Sequence, residues 1–263
     1  MYPRYRYPAA LFLPIVRDWL LGRPRNFQRD ARAATAILQG SLLIHGVENV
    51  PAHGPLVVTL NHYRRPGFGL WWVIAAIADT LPRNPHLIMT GELTRWFRPW
   101  GGAISRFALP RLARMYGFTA MPPMPPRPTD VQARAQAVRR VLRYAQRDTS
   151  PIFMLAPEGR DNVEDGSLVR PPQGAGRFVL LLADRGLALL PVGGWEADAA
   201  LNIRFGPMYL LNLPRNHSAE ERDRAATETV MRHIAELLPE RLRGVFSPAN
   251  EGLEHRPKHR GSP

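Results

Sequence analysis

The 263-residue chain contains no cysteine and a single lysine, Lys258. The first absence excludes disulfides, thiol catalysis and thiolate metal sites, and it fits a cytosolic, reducing setting. The second makes the positive charge almost wholly arginine. Lys+Arg number 35 against 22 Asp+Glu, which leaves a formal net charge of +13. Such a surplus favours anionic partners: phospholipid head groups, acyl-CoA, nucleotides or nucleic acid. Guanidinium forks grip phosphate bidentately, although an arginine bias this uniform equally fits the coding composition of a genome.

Long apolar runs are also missing. The longest, Pro8 to Val16 and Gly67 to Ala78, fall well short of the roughly 18 residues that a transmembrane helix requires. Basic and aromatic residues precede a short apolar segment at the N-terminus, but Arg17, Asp18 and Trp19 stand where a signal peptide would need small residues for cleavage. The stretch reads either as an interfacial anchor or as a helix packed on the domain, and both can hold at once. In the anchor reading Tyr2, Tyr5, Tyr7, Phe12 and Trp19 sit among head groups and Arg4 and Arg6 face anionic lipid.

With no low-complexity linker, the length favours one large domain. Residues 1–40 read as a helical N-terminal part, 41–246 as the main body and 247–263 as a flexible polar tail. In that tail His255 and His259 are four apart, but Pro257 between them breaks the helix a metal pair would need. No metal is assigned.

Within the body, apolar runs alternate with helical spacing. Strands are expected at Ser41–Ile44, Leu56–Leu60, His86–Met89, Pro151–Ala156, Ala188–Val192, Leu201–Phe205 and Met208–Leu211. Helices are expected at Asn26–Leu38, Phe68–Ala78, in the region 92–116 interrupted by Pro99, Gly101-Gly102 and Pro110, at Thr129–Arg147, behind Gly174 and Gly176, and from the Ser218/Glu221 capping box to Leu238. Strands alternating with helices predict a mixed, mainly parallel sheet flanked by helices. In such sheets chemistry gathers at the carboxyl ends of the strands.

Two strand ends carry polar residues. Leu56–Leu60 delivers Asn61 and His62, followed by Tyr63, Arg64, Arg65 and a Pro66-Gly67 turn. Pro151–Ala156 delivers Pro157, Glu158, Gly159 and Arg160. A histidine in the first position either ends a strand or serves as a general base beside a cationic pocket. The expected helix behind it would bring a positive dipole end, suited to an anionic group. Aromatic and basic residues interleave between the two ends: Trp96, Phe97, Trp100 and Phe107 with Arg95, Arg98, Arg106 and Arg111. That mixture suits an acyl chain at a membrane interface, or ordinary core packing. It suits single-stranded nucleic acid less, because the spacing is helical and no RNA-binding signature accompanies it. No nucleic acid partner is expected.

Four blocks in order, IHGVENVPAHGPLVVTLNH, GELTRWFRPWGGAISR, PIFMLAPEGR and LALLPVGG, resemble the glycerolipid acyltransferase family, whose bacterial members include lysophosphatidic acid acyltransferases. The match runs from about Ile44 to Leu238. The resemblance implies a glycerol-3-phosphate acyltransferase-like α/β fold and an O-acyltransferase. The acyl group would pass from acyl-CoA, or acyl carrier protein, as co-substrate to a hydroxyl of a lysophospholipid or glycerol-phosphate-type acceptor. No cofactor is implied. It further implies a peripheral protein on the cytoplasmic, inner face of the cell membrane, with the phospholipid surface and an anionic lipid acceptor as partners.

By the same resemblance His62 is the catalytic base, while Asn61, Glu158, Gly159, Arg160, Arg64 and Arg65 surround the acceptor's phosphate region. The chain departs from the family at two points. The family's aspartate, separated from His62 by the four residues Tyr63 to Pro66, is Gly67 here, and Arg160 follows Gly159 without the usual threonine. Asp79, Glu92 and Asp161 are the candidates for orienting His62 in place of the missing aspartate. The alternative is a catalytically degenerate member that binds lipid or acyl-CoA.

Overall fold

The computed structural model describes residues 2–3, 5, 8–38, 40–93, 101–123, 127–160, 165–214 and 216–248. Arg4, Arg6 and Tyr7, the aromatic-basic stretch 94–100, Asp161 and the tail from residue 249 lie outside the described residues.

Seven strands form one sheet: β1 (Leu42–His45), β2 (Leu56–Leu60), β3 (His86–Thr90), β4 (Thr119–Met121), β5 (Ile152–Leu155), β6 (Ala188–Ala197) and β7 (Ala200–Phe205), in the order β1-β7-β6-β2-β5-β3-β4. All pairings are parallel except β6 with β7. The chain is thus a single α/β domain with a mostly parallel sheet. The central strands β2 and β5 are buried along their whole length, which is why they read as continuous apolar runs rather than alternating ones.

The helices are α1 (Ala9–Leu21), α2 (Phe27–Thr35), α3 (Trp71–Thr80), α4 (Gly101–Tyr116), α5 (Val131–Arg147), α6 (Ala175–Ala183) and α7 (Ala219–Leu237). Right-handed crossovers place α3 and α4, which lead outward to β3 and β4, on one face of the sheet. The return connections α5 and α6 lie on the other face. Helix α2 packs on α3, and α7 packs on α6 and β6. Ala31 and Ala34 of α2 enter the core, so the N-terminal helices share the body of the domain.

Several expected boundaries move. Strand β6 continues past Gly193-Gly194 to Ala197 and swaps partners there, parallel to β2 in its first half and antiparallel to β7 in its second. The glycines do not end the strand. A Cβ at Gly194 would stand 2.6 Å from Val73 Cγ1, and one at Gly193 would stand 3.0 Å from Leu237 Cβ, so helices on both faces press against the backbone. Met208–Leu211 reduces to an isolated bridge between Leu189 and Tyr209. Helix α4 contains Pro110 rather than breaking there, and α3 starts three residues later than Phe68.

The carboxylate of Asp223 in α7 accepts from Gly174 N–H and Arg177 N–H at 2.7 Å each, filling the N-terminus of α6. A Cβ at Gly176 would clash with Asp223 O at 2.2 Å.

Candidate functional site

The β2–β5 register sets Val58 beside Met154 and Thr59 beside Leu155. Continued past the strand ends, it brings His62 opposite Glu158. The contact there is from backbone to side chain: His62 N–H donates to Glu158 Oε2 at 2.6 Å, and Val169 N–H donates to Glu158 Oε1 at 2.9 Å. Glu158 is only 1% exposed. A buried carboxylate with one backbone donor on each oxygen repels phosphate and holds the two loops together. Through these two bonds Glu158 links the His62 loop to the segment around Val169.

Asn61 also proves to be scaffold. Its Nδ2 donates to Gly194 O at 2.9 Å and Gly194 N–H donates to its Oδ1 at 2.7 Å. The amide side chain copies a backbone ladder step, tying the β2 tip to β6 on the side opposite Glu158. At 1% exposure it is closed to a phosphate ligand.

Arg65 departs furthest from expectation. Its Nε and Nη2 meet Glu196 Oε2 and Oε1 at 2.5 and 2.7 Å, and Glu196 is buried in β6. Tyr5 donates to Glu196 Oε1 at 2.8 Å, and the Tyr2 ring lies 4.1 Å from the Arg65 guanidinium. The bond to Glu196 holds the Arg65 pKa above its ordinary value, and burial followed by Glu196 raises that of Tyr5. Arg65 is therefore consumed in a fork-to-carboxylate pair that fixes the loop from inside. Tyr63 seals the same loop against Phe68 at 5.4 Å, and burial pushes its phenol up to about 12.

What remains open at the mouth is narrower than the expected set. His62 is half-buried between the pinned residues Asn61 and Tyr63, and Arg64 is exposed one residue further on. At the neighbouring tip Gly159, with φ +60°, turns the chain so that Arg160 stands exposed. Arg160 has no ion pair or hydrogen bond among the described residues. The arrangement offers an imidazole beside solvent-accessible guanidinium charge, on a loop held from three sides.

The carboxylates proposed to orient the imidazole divide differently. Asp79 lies near the end of α3, a helix of ten residues that starts beyond the β2 tip and runs back about 15 Å toward the strands' amino ends. Its oxygens take Arg32 at 3.0 Å and Thr35 Oγ1 at 2.6 Å. Glu92 follows β3 at the correct edge, but it is bound by Arg127 at 2.7 Å and Arg106 at 3.4 Å. Neither is aimed at His62, and Asp161 lies outside the described residues. Gly67 itself has φ +76°, a conformation that glycine adopts without strain and aspartate less readily.

Glu196, and the bond that turns Tyr5 inward to it, escaped the sequence reading. A charged residue directly after Trp195, in a strand taken to end at Gly194, was the available signal. Among the described residues, no group of three or more His, Asp or Glu could hold a metal ion.

The N-terminal aromatics are inside the fold more than on it. Tyr5 packs on Phe68 and Trp72, and Phe12 on Trp71. Trp19 packs on Phe107 and donates to Ala108 O. On α1 and α4 the exposed apolar side chains are mainly aliphatic: Leu13 (65%), Val16, Leu20 and Leu21 of α1 and Ile104 of α4, joined by Phe107 (64%). No described helix is long and apolar enough to cross a membrane.

Comparison with known proteins adds three findings. A protein-family model described as Acyltransferase matches residues 41–195. A solved structure, the 1-acyl-sn-glycerophosphate (LPA) acyltransferase PlsC from Thermotoga maritima, superposes with a TM-score of 0.50 at 17% identity, over 80% of this chain and 78% of that one. No curated protein matches significantly.

Proposed function

Because more than half of its length matches that family, the chain belongs to the acyltransferase family, and from this premise we propose that it acylates a lysophospholipid or glycerol-phosphate-type acceptor at a membrane surface. The donor is a fatty acyl thioester of coenzyme A or acyl carrier protein. The observation that carries the reading is the loop of His62. Asn61, the His62 N–H and Arg65 each hold it, and the half-buried His62 and the exposed Arg160 lie at the same carboxyl edge of the sheet.

In this reading the neutral His62 ring accepts the proton of the acceptor hydroxyl as its oxygen attacks the thioester carbonyl. The tetrahedral intermediate then collapses, the C–S bond breaks, and the imidazolium returns the proton to the departing thiolate. Arg160, and Arg64 beside it, attract the acceptor's phosphate. Pinning from three sides fixes the backbone that carries the ring, which serves a base that must be held in place.

Membrane contact rests on the aliphatic patch of α1 and α4, flanked by Arg17 and Arg111. Its exposed side chains would enter the head-group boundary from the inner, cytoplasmic face.

The test is product formation. Purified protein incubated with an acyl-CoA and 1-acyl-glycerol 3-phosphate in anionic vesicles should yield phosphatidic acid by mass spectrometry. Tight vesicle binding with no new ester from any lysophospholipid or glycerol phosphate would favour the degenerate, lipid-binding reading that Gly67 suggests.

A further inference from the structure

Helices α5 and α7 lie on the same face of the sheet and are both rich in arginine, but their charges are arranged differently. Along α7, Arg222, Arg224 and Arg232 are interspersed with Glu220, Glu221, Asp223, Glu228 and Glu236. Along α5, Arg134, Arg139, Arg140, Arg143 and Arg147 have no acidic residue among them. A genome-wide arginine bias would act on both helices alike. The carboxylates flanking α5 are already engaged, Asp130 by Arg127 at 2.9 Å and Asp148 by Arg83 at 2.8 Å. Arg139, Arg140, Arg143 and Arg147 have no ion pair among the described residues.

The surface is also shaped. A concavity of about 610 Å³ lies along α5, lined by Arg139, Arg140, Arg143, Leu142 and, from the end of α6, Arg185, with no carboxylate in its wall. A second of about 480 Å³ continues from Arg139 toward the start of the helix, over Val131, Ala135 and Val138. Val131, Ala135, Val138 and Leu142 fall at i, i+4, i+7 and i+11, so they form one stripe. Val131 and Ala135 are exposed and the other two half-buried. An apolar stripe bordered by unpaired arginines is the surface that accepts an amphipathic helix of opposite charge.

We propose that the exposed flank of α5 is the docking surface for a soluble acidic helical protein, the carrier that brings the acyl thioester on its flexible arm. This rests on the acyltransferase reading above. Charge decides the occupant: a second copy of a chain at +13 is repelled. A bilayer engaging α1 and α4 touches the opposite face of the sheet, so it cannot also lie along α5. The geometry serves delivery, because the stripe begins next to Arg127, which binds Glu92 at the carboxyl edge shared with His62. From β4, against which α5 packs, to β2 is three strand spacings, about 14 Å.

The experiment uses the full-length protein, purified acyl carrier protein as the probe, and the double variant Arg139→Glu/Arg143→Glu. These side chains are exposed, and circular dichroism melting should show the variant folded as the wild type. Calorimetric titration should give salt-sensitive binding to the wild type that the variant weakens about 30-fold, as like charges replace opposite ones. In turnover, the variant should raise KM for the carrier-bound donor by a similar factor and change KM for acyl-CoA less than twofold. Equal carrier binding by wild type and variant, or none by either, overturns the proposal. So does a loss confined to acyl-CoA, which would make the arginines a coenzyme phosphate site, or a loss confined to anionic vesicles. If neither donor is turned over, the acyltransferase reading fails, and the titration still decides the docking surface.

Discussion

His62 and His86 stand at opposite ends of neighbouring parts of one sheet, and their surroundings could hardly differ more. His86 opens β3 at the amino edge. It is 5% exposed, its Nε2 is 2.9 Å from Thr119 Oγ1, and its ring lies 4.2 Å from that of Tyr144. Burial pushes its pKa down to about 4. His62 follows β2 at the carboxyl edge, half-buried, with fixed backbone on both sides and arginines exposed around it. One histidine is packing material with a titration liability, and the other is presented. The difference lies in the edge and the neighbours, since both were strand-end histidines in the sequence.

Replacing each histidine should therefore damage a different property. The largest effect is expected at His62. His62→Ala should lower kcat by about 10²- to 10⁴-fold, the usual contribution of a general base, with the melting temperature little changed. Retention of a tenth or more of the wild-type rate would remove His62 from the chemistry.

The next test asks whether the loop that presents His62 is as firmly built as the pocket that hides His86. Glu196→Ala leaves the Arg65 guanidinium, whose side chain is 17% exposed, without its carboxylate, and deprives Tyr5 of an acceptor. A loss of about 3–5 kcal/mol in urea unfolding is expected for breaking a buried pair. A change below about 1 kcal/mol would mean that the pair is incidental and the loop is held by other contacts.

His86 supplies the pH dependence. Its folded pKa of about 4 lies below the ordinary histidine value of 6.5, so the unfolded chain takes up a proton first as the pH falls. Its stabilising contribution is complete above pH 6.5 and is lost progressively down to about pH 4. The full loss is about 3 kcal/mol, from 2.5 pKa units at 1.36 kcal/mol each. Unfolding curves of wild type and His86→Phe between pH 7 and 4.5 should converge as the pH drops. Parallel curves would show that His86 is not kept neutral.

The smallest effect is assigned to Arg160, which has no partner among the described residues. Arg160→Ala should leave stability unchanged and raise KM for a phosphorylated acceptor about tenfold, the value of a charge-assisted hydrogen bond. An acceptor lacking the phosphate should show no such rise, and an equal rise for both would assign Arg160 another role.

Much of this comparison was legible from residue order. The runs LVVTL and IFML are nearly all apolar, and the polar residues after them marked the carboxyl edge of the sheet. What could not be read was pairing over distance. Asn61 with Gly194 and Arg65 with Glu196 are separated by 133 and 131 positions, and local pattern carries no trace of either. Asn61, Arg65 and Glu158 sit beside His62 in the sequence or the register, and their hydrogen bonds reach Gly194, Glu196 and the His62 N–H. Strand β4 was missed because three residues give too short a pattern. The end of β6 was misplaced because its glycines answer to Val73 and Leu237, which lie far away in the chain.

The most direct test of the central claim compares the two histidine variants side by side. Thiol release from acyl-CoA, dependent on 1-acyl-glycerol 3-phosphate, is measured at pH 7.5 for wild type, His62→Ala and His86→Phe, normalised to folded protein. The account predicts that His86→Phe turns over within about threefold of wild type and that His62→Ala falls by about 10²- to 10⁴-fold. Equal activity in the two variants, or acceptor-dependent release in His62→Ala at a tenth or more of the wild-type rate, would contradict it.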